Sequence, residues 1–278
     1  MRRQKEDLIL HNHNSDGVDR RGFLKCMAWA GTGALFVVKG GVLRSYSLSD
    51  PAGLAAGARG GELSFIQISD SHMGFDKAAN PDVVATLRVA VDRINSAPTA
   101  PAFLLHTGDI SHLSKPSEFD TVDQVLKSAK ASQVFYVPGE HDVLGDDGKQ
   151  YLEWLEDDVK GLSASTPIVV FAHIPLWAVY PEWGWGTDDS AQALAYLKRF
   201  GSVTVLNGHI HQTMQNVEGN ITFHTATSTA FPQPRPGTAP SPGPMKVPAE
   251  QLRSLLGLTS VHYVAGKHTL AIVDSSLA

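Results

Sequence analysis

The sequence is poor in cysteine: Cys26 is the only one among 278 residues. An intrachain disulfide is therefore excluded, and with it the small scaffolds that are held together by cysteine pairs. The hydrophobic fraction of 42% and the charged fraction of 18% are those of a globular chain with one or two domains. A chain of this length can bury a core that needs no covalent cross-links.

Positive charge is also scarce outside the N-terminal segment. Residues 1–58 hold eight basic and five acidic residues, whereas residues 59–278 hold 15 basic and 23 acidic residues. Binding of nucleic acid without sequence preference needs a basic surface. We therefore expect no nucleic-acid-binding surface. A small phosphate-bearing substrate stays compatible with this charge, because a local cationic site can attract it.

The chain also lacks an apolar run long enough to cross a bilayer as a mature helix. The stretch Cys26–Val38 is too short for a span and has the size of the apolar region of a signal peptide. It follows Arg20–Lys25, whose order Arg-Arg-Gly-Phe-Leu-Lys resembles a twin-arginine export signal. Small residues at Ala56–Ala58 offer a cleavage site.

These features predict a signal and spacer at residues 1–58 and a single domain at residues 59–278. The twin-arginine export machinery would then be a partner, and the mature protein would be periplasmic or extracellular. No stable membrane span is expected once the signal has been cleaved. Two alternatives stay open, namely a buried N-terminal helix and an uncleaved anchor that tethers the protein to a membrane.

From Leu63 onward, short apolar runs alternate with amphipathic segments of helical spacing. Such alternation predicts an α/β core with buried, largely parallel strands. Strands are predicted at residues 63–69, 102–107, 134–137, 167–172, 202–207, 221–228 and 268–274. Helices are predicted at residues 81–96, 116–129, 151–162 and 190–200. Residues 231–248 are rich in Pro and Gly, which predicts a surface loop that could be ordered near a site.

Ionisable side chains follow five of the predicted strands. They are Asp70, His72, Asp109, Glu140, His141, Asp142, His173, His209 and His211. Loops converge at the carboxyl ends of the strands in an open α/β sheet, so we expect these groups to meet there. Asp70 and His72 are two residues apart, as are His209 and His211, and on an extended chain this spacing puts both side chains on one face.

Imidazole and carboxylate groups without thiolate suit zinc, iron, manganese, nickel or cobalt. Seven of these nine side chains, all but His141 and Asp142, are candidate ligands. Seven ligands are too many for one ion, and they suit two ions that share a bridging carboxylate. Two ions a few ångströms apart can clamp a phosphoryl group and generate hydroxide at neutral pH. The pattern therefore predicts a dinuclear site for phosphoryl chemistry.

The motifs Asp-Ser-His, Gly-Asp, Gly-Glu-His-Asp, a lone His and Gly-His-Ile-His follow one another along the chain. This ordered set resembles the signature of the calcineurin-like metallophosphoesterases, from Leu63 to the C-terminus. The resemblance implies an α/β fold, a four-layer α/β/β/α sandwich of the metallo-dependent phosphatase type. It also implies hydrolysis of a small phosphoric monoester or diester by a hydroxide that bridges two metal ions, with iron, manganese or zinc expected.

The resemblance also implies roles for individual residues. The expected ligands are divided between two ions, the first bound by Asp70, His72 and His211, the second by Glu140, His173 and His209, with Asp109 as the bridge. His141 would protonate the leaving-group oxygen and Asp142 would orient its ring, which suits a histidine that titrates near neutrality beside a carboxylate. Taken singly, an aspartate could instead cap a turn, and His173 could be a hydrogen-bonded core histidine.

Other histidines and the tryptophans carry weaker signals. His112 could reach a phosphate or lie in a surface loop. Three tryptophans could wall a substrate pocket or pack in the core; they are Trp177, Trp183 and Trp185. The histidines without motif support are expected to be structural; they are His106, His224, His262 and His268.

Two departures from the family pattern bear on function. Glu140 stands where the family usually has asparagine, and we expect its charge to hold the second ion more tightly. Only 30 residues separate Asp142 from His173, whereas family members commonly carry several dozen more there. The abridged segment leaves open a truncated second sheet with an exposed edge. It also leaves open an alternative function, a catalytically weak protein that binds metal or phosphate.

Overall fold

The structure, a computed structural model, describes residues 34–39, 42–47, 62–131, 133–142, 160–187, 190–264 and 270–278. The twin-arginine motif, its cleavage site, most of the helix predicted at residues 151–162 and most of the abridged segment lie outside the described residues. Near the N-terminus, strand β1 (Ala34–Lys39) pairs antiparallel with strand β2 (Val42–Ser47) as a two-stranded sheet.

Nine further strands form two larger sheets in the described part of the chain. In chain order they are β3 (Glu62–Ile68), β4 (Phe103–His106), β5 (Val134–Tyr136), β6 (Ile168–Phe171), β7 (Val203–Asn207), β8 (Met214–Glu218), β9 (Ile221–Thr225), β10 (Gly257–Val264) and β11 (Ala271–Ser276). The first large sheet has the order β11-β10-β3-β4-β5, and the second has the order β6-β7-β9-β8.

Both sheets combine parallel and antiparallel strands. In the first sheet β3, β4 and β5 run parallel, while β10 and β11 extend it antiparallel. In the second sheet β6, β7 and β9 run parallel, and β8 is antiparallel at the edge. The strands that precede the candidate residues are therefore parallel within each sheet, so their carboxyl ends share an edge.

Helices cover the outer faces of the sheets. They are α1 (Val83–Asn95), α2 (Pro116–Leu126), α3 (Ser190–Leu197) and α4 (Ala249–Leu255). The Asp82 carboxylate caps α1 by accepting a hydrogen bond from the backbone N–H of Ala85 at 2.9 Å. Pro116 opens α2, where its fixed φ and missing N–H suit the first turn.

Alternation along the strands divides the core into three apolar layers. On β4, Phe103 and Leu105 pack between the two sheets, whereas Leu104 packs against α1 and α2. On β6, Phe171 packs between the sheets and Val170 packs against α3. The order helices, sheet, sheet, helix confirms the four-layer α/β/β/α sandwich that the resemblance implied.

Buried polar side chains join the two sheets where the strands end. From Nε2, Gln67 on β3 donates to the carbonyl oxygen of Asn207 on β7 and to Oγ1 of Thr107, both at 3.0 Å. Asn207 donates from Nδ2 to the carbonyl oxygen of Ala172, just after β6, at 2.8 Å. These bonds hold the ends of strands from both sheets at a common rim, on which the candidate site is built.

All seven predicted strands are present, as are the three predicted helices that fall within the described residues. The sequence interpretation missed β1, β2, β8, β10 and α4. Strand β8 is a mostly exposed edge strand with Gln, Asn and Glu in it, so it has no apolar run. Only Leu256 separates α4 from β10, and the glycine at this boundary, Gly257, is itself the first residue of the strand. Within the described residues, no helix has the length and hydrophobicity of a membrane span.

Candidate metal centre

The loops that follow β3 and β4 are joined directly to each other. The backbone N–H of Asp70 donates to the carbonyl oxygen of Gly108, and that of His72 donates to the carbonyl oxygen of Asp109, both at 2.9 Å. In turn, the Asp70 carboxylate accepts from the backbone N–H of His209, in the loop after β7, at 3.1 and 3.2 Å. Backbone hydrogen bonds thus bring candidate residues from both sheets together.

Five of the candidate residues have left-handed backbone conformations. They are Asp70 (φ 53°), His72 (φ 38°), Asp109 (φ 50°), His209 (φ 70°) and His211 (φ 53°). The expectation that the pairs two residues apart lie on extended chain is therefore wrong, because each pair lies in a turn beyond its strand. Non-glycine residues at positive φ are uncommon, and they cluster at functional sites.

Glycines precede the ligand candidates because the site has no room for a Cβ there. A Cβ added at Gly139 would collide with the backbone and carboxylate of Asp109. A Cβ at Gly208 would collide with Oγ of Ser69 and with the Asp70 carboxylate. The Gly-Glu and Gly-His steps of the sequence therefore allow the backbone of one loop to contact the candidate ligands of another.

The first group of candidate ligands is buried. It consists of Asp70, His72 and His211, whose donor atoms lie within 4.8 Å of one another. Nε2 of His211 is 3.3 Å from Oδ1 of Asp70 and 3.1 Å from Nε2 of His72. Nδ1 of His211 lies 2.6 Å from the carbonyl oxygen of Phe231 and donates to it, which leaves Nε2 as an acceptor in the neutral ring.

The second group lies beside the first and is more open to solvent. It consists of Asp109, Glu140, His173 and His209, again with donor atoms within 4.8 Å of one another. Glu140 places Oε2 3.1 Å from Nε2 of His173 and Oε1 2.8 Å from Nδ1 of His209. Oδ2 of Asp109 is 3.4 Å from Nε2 of His173 and 3.6 Å from Nε2 of His72, so it lies between the two groups.

His173 is surrounded by carboxylates. Its Nδ1 lies 2.6 Å from the carbonyl oxygen of Thr107, and its Nε2 faces oxygens of Asp70, Asp109 and Glu140 at 3.8, 3.4 and 3.1 Å. Nε2 is buried, and it forms no hydrogen bond within the described part of the chain. A metal-binding histidine has this arrangement, with one ring nitrogen held by a carbonyl and the other directed at the ion's position.

The pKa shifts within the cluster also favour a bound cation. Burial raises the pKa of the Asp70 carboxyl, but the neighbouring imidazoles, His211 foremost, outweigh burial and hold it well below its usual range. The same opposition lowers the pKa of Asp109 and of Glu140, with His173 as the main attracting group. Burial lowers the pKa of His173, yet Asp109 and Glu140 outweigh it and raise that pKa well above its usual value.

His72 behaves differently, because burial dominates. Burial lowers its pKa to about 3 against the attraction of Asp109, so the ring is neutral at pH 7 and can offer a lone pair. Neutral imidazole and ionised carboxylate are the donor types that divalent transition metals accept. The residues present therefore fit one or more such cations.

His141 and Asp142 were expected to be hydrogen-bonded to each other, but each has other partners. Nδ1 of His141 lies 2.7 Å from the carbonyl oxygen of His112, so that carbonyl orients the ring. The Asp142 carboxylate instead accepts from the backbone N–H groups of Ile110, Ser111 and Gly139 at 2.9–3.1 Å. Asp142 thus joins the loops after β4 and β5, and its hydrogen bonds go to these loops and not to the His141 ring.

Two residues at the site were missed or left undecided by sequence reasoning. The Phe231 ring stacks on His72 at 4.8 Å between centroids, and its carbonyl holds His211. The His112 ring stacks on His141 at 5.1 Å, and the donor atoms of His72, His112 and His141 form a third close group. No motif marks Phe231, which lies 20 positions beyond His211 in an irregular segment.

The remaining histidines and tryptophans divide as follows. His106 is buried against Ser71, with Nε2 2.9 Å from its hydroxyl, and His268 lies outside the described residues. Trp185 is 1% exposed and Trp177 packs on Phe223, which favours the core alternative for both. Half-buried Trp183 packs edge-on against Trp185.

A family model described as the calcineurin-like phosphoesterase superfamily domain matches residues 63–239 of the chain. The search of the curated proteins found no match to this chain.

Several solved structures resemble the chain at low identity. A conserved uncharacterised protein from Streptococcus pneumoniae TIGR4, described as a predicted phosphoesterase, is 14% identical; the match covers 78% of this chain and 90% of that one, with a TM-score of 0.38. Vps29 from Entamoeba histolytica, complexed with Zn²⁺, is 15% identical over 78% and 100% of the chains, with a TM-score of 0.37. Purple acid phosphatase PPD1 from yellow lupin seeds is 11% identical over 88% and 57%, with a TM-score of 0.49.

The packing at Gly208 predicts that a single methyl group will damage the site. In Gly208→Ala the new Cβ collides with Ser69 and Asp70, so the rim must shift. We expect about 1–3 kcal/mol of lost stability, seen by urea unfolding, and clearly weaker binding of Mn²⁺ or Zn²⁺, seen by titration calorimetry. Gly161→Ala is the matched control, because a Cβ at Gly161 meets no atom within 4 Å. Equal behaviour of the two variants would contradict the packing argument.

Proposed function

This chain belongs to the calcineurin-like phosphoesterase superfamily and is a metallophosphoesterase, and we propose that it hydrolyses phosphoric monoesters or diesters at a centre of two divalent cations. The observation that supports the proposal best is the buried Nε2 of His173, which three carboxylates face without a hydrogen bond. A cation at that position would balance the carboxylates and give Nε2 a partner.

In this proposal the seven ligand candidates are shared between two cations, with Asp70, His72 and His211 on the first, Glu140, His173 and His209 on the second, and Asp109 on both. When bound, such cations neutralise charge on phosphoryl oxygens and lower the pKa of coordinated water. Iron, manganese and zinc suit this donor set. The Glu140 side chain is 41% exposed whereas that of Asp70 is 0% exposed, so a substrate would approach from the Glu140 side.

His141 is the proposed proton donor. Hydrolysis forms a P–O bond to the oxygen of water and breaks the P–O bond to the alcohol, whose oxygen takes up a proton. In the imidazolium form of His141 both ring nitrogens carry protons, and the Nδ1 proton is engaged by the His112 carbonyl. The proton on Nε2 is therefore the one that is free for transfer to the leaving oxygen.

Metal-dependent turnover tests the proposal. Protein loaded with Mn²⁺, Fe²⁺ or Zn²⁺ should release 4-nitrophenol from 4-nitrophenyl phosphate or from bis(4-nitrophenyl) phosphate, and a chelator should stop the release. Asp109→Asn should lower kcat about 100-fold or more, because it removes the charge shared by both groups. Asp123→Asn changes a carboxylate on α2 that pairs only with Lys127 in the described chain, and it should keep full activity.

Two outcomes would contradict this scheme. Full activity of Asp109→Asn would exclude the proposed centre. Metal-loaded protein that binds phosphate but hydrolyses neither ester would favour the alternative of a catalytically weak binding protein.

The role of His141 predicts a dependence on the leaving group. His141→Gln should slow hydrolysis of glycerol 3-phosphate, whose alkoxide needs a proton, by about 10²–10⁴-fold. It should slow 4-nitrophenyl phosphate far less, because nitrophenolate can leave without a proton. Exposed His262 on β10 offers the control, since His262→Gln should change neither rate. A loss of equal size on both substrates would indicate a structural role for His141.

Export of the protein is a separate proposal. The paired arginines Arg20 and Arg21, the short apolar stretch after them and the small residues at Ala56–Ala58 support cleavage and release by the twin-arginine machinery. Mass spectrometry of protein from its native source should find a mature N-terminus near Ala58, outside the cytoplasm. An intact N-terminus in the membrane fraction would favour the tethered alternative, and an intact N-terminus in the cytoplasm would contradict export.

A further inference from the structure

A third group of histidines lies beside the first ligand group. It consists of His72, His112 and His141, whose donor atoms lie within 4.8 Å of one another. His72 is buried and belongs to the first ligand group as well, whereas His112 and His141 are half-buried. The proposed function uses His141 as a proton donor and gives the ring of His112 no role.

The rings of this group are held in place by their neighbours. The rings of His112 and His141 are nearly parallel, with 17° between their planes and 5.1 Å between their centroids. The Phe75 ring packs edge-on against His112 at 5.2 Å, and the His72 ring packs edge-on against His141 at 4.8 Å. Because the rings are ordered before any ion binds, little ordering cost is added on binding.

The ring nitrogens of His112 and His141 are available to a cation. Nδ1 of His141 donates to the carbonyl oxygen of His112 at 2.7 Å, so Nε2 carries the lone pair of the neutral ring. Nδ1 of His112 is buried and forms no hydrogen bond within the described part of the chain. A buried polar atom without a partner costs about 1–3 kcal/mol, and a bound cation would give it one.

The spacing of these nitrogens is close to that of a zinc site. Two nitrogens that bind one zinc ion lie roughly 3–4 Å apart, because each Zn–N bond is about 2.0–2.1 Å long. A small rotation of the two half-buried rings reaches this spacing from donor atoms that lie within 4.8 Å of each other. Imidazole ligands suit zinc, and solvent can complete the coordination at a half-buried site.

This group should hold an ion less tightly than the main centre does. It contains no carboxylate, whereas the other two groups contain three in all. Cations in those two groups would also repel a further ion. We therefore expect the third group to fill only when zinc is in excess.

We propose that His112 and His141, beside His72, form a third and weaker site for Zn²⁺, and that an ion bound there inhibits hydrolysis by occupying Nε2 of His141. The inhibition rests on the proposed function, because Nε2 of His141 is there taken to carry the proton for the leaving oxygen. A nitrogen whose lone pair binds zinc cannot hold that proton. The site itself rests only on the arrangement of the rings.

Counting bound zinc tests the site. In equilibrium dialysis against rising Zn²⁺, followed by elemental analysis, the wild-type chain should take up one more ion than His112→Phe does. Phenylalanine keeps a ring that packs against Phe75 and His141 but has no nitrogen. His112→Gln, which also lacks the imidazole, should show the same loss of one ion. His262→Gln changes an exposed histidine on β10 and should match the wild type.

Rates at two zinc concentrations test the inhibition. Excess zinc should slow hydrolysis of glycerol 3-phosphate by the wild type about 10²-fold or more, as the loss of a general acid does. It should slow 4-nitrophenyl phosphate far less, because nitrophenolate leaves without a proton. His112→Phe should lose most of this sensitivity, each variant being compared with its own rate before the excess is added.

The two measurements separate this inference from the proposed function. Equal zinc uptake by the wild type and both His112 variants would overturn the third site. A difference in uptake, together with equal inhibition of the wild type and His112→Phe, would overturn the inhibitory role. If the wild type hydrolyses no ester, the proposed function fails, while the uptake of zinc still decides the site.

Discussion

Three carboxylates meeting at one rim between the two sheets are the constraint on which the rest of the structure depends. Asp70 and Asp109 are buried, and the Glu140 carboxylate reaches the same imidazole that faces both of them. An unpaired buried charge costs several kcal/mol, so such a group persists only where positive charge balances it. The chain surrounds these carboxylates with imidazoles, and the raised pKa of His173 shows how strongly the cluster attracts a positive charge.

The two-sheet sandwich enforces the left-handed backbone conformations of the clustered residues. Each left-handed non-glycine residue costs of order 1–3 kcal/mol, and such conformations persist only when the surrounding structure enforces them. Here the enforcement comes from the apolar layers and from the bonds of Gln67 and Asn207, which join the sheets beneath the loops. Asp142 adds a further tie, since its carboxylate connects the loops after β4 and β5. The stability of the fold and the geometry of the rim are therefore coupled.

The strands and the identity of the clustered residues could be predicted from the sequence, because both are encoded locally, whereas the four layers were implied only by the resemblance to a family. Apolar alternation marks strands, and each candidate ligand immediately follows a strand. The backbone of the clustered residues was predicted wrongly, since a spacing of two residues is compatible with a left-handed turn as well as with extended chain. The partners of His141 and His211 could not be predicted either. They are carbonyl groups of His112 and Phe231, and any residue type could supply a carbonyl.

The Pro-rich loop (residues 231–248) shows how such a carbonyl can fix the geometry of the candidate ligands. Its first residue, Phe231, holds Nδ1 of His211 and stacks on His72, so the loop sets the ring orientations in the first ligand group. The same loop continues as one wall of a cavity of about 580 Å³. A displacement of the loop would act directly on the His211 ring, which contacts Phe231 through this hydrogen bond of 2.6 Å and through its ring, the two ring centroids lying 4.7 Å apart. The orientation of rings in the first ligand group thus depends on this segment, whose prolines restrict its backbone.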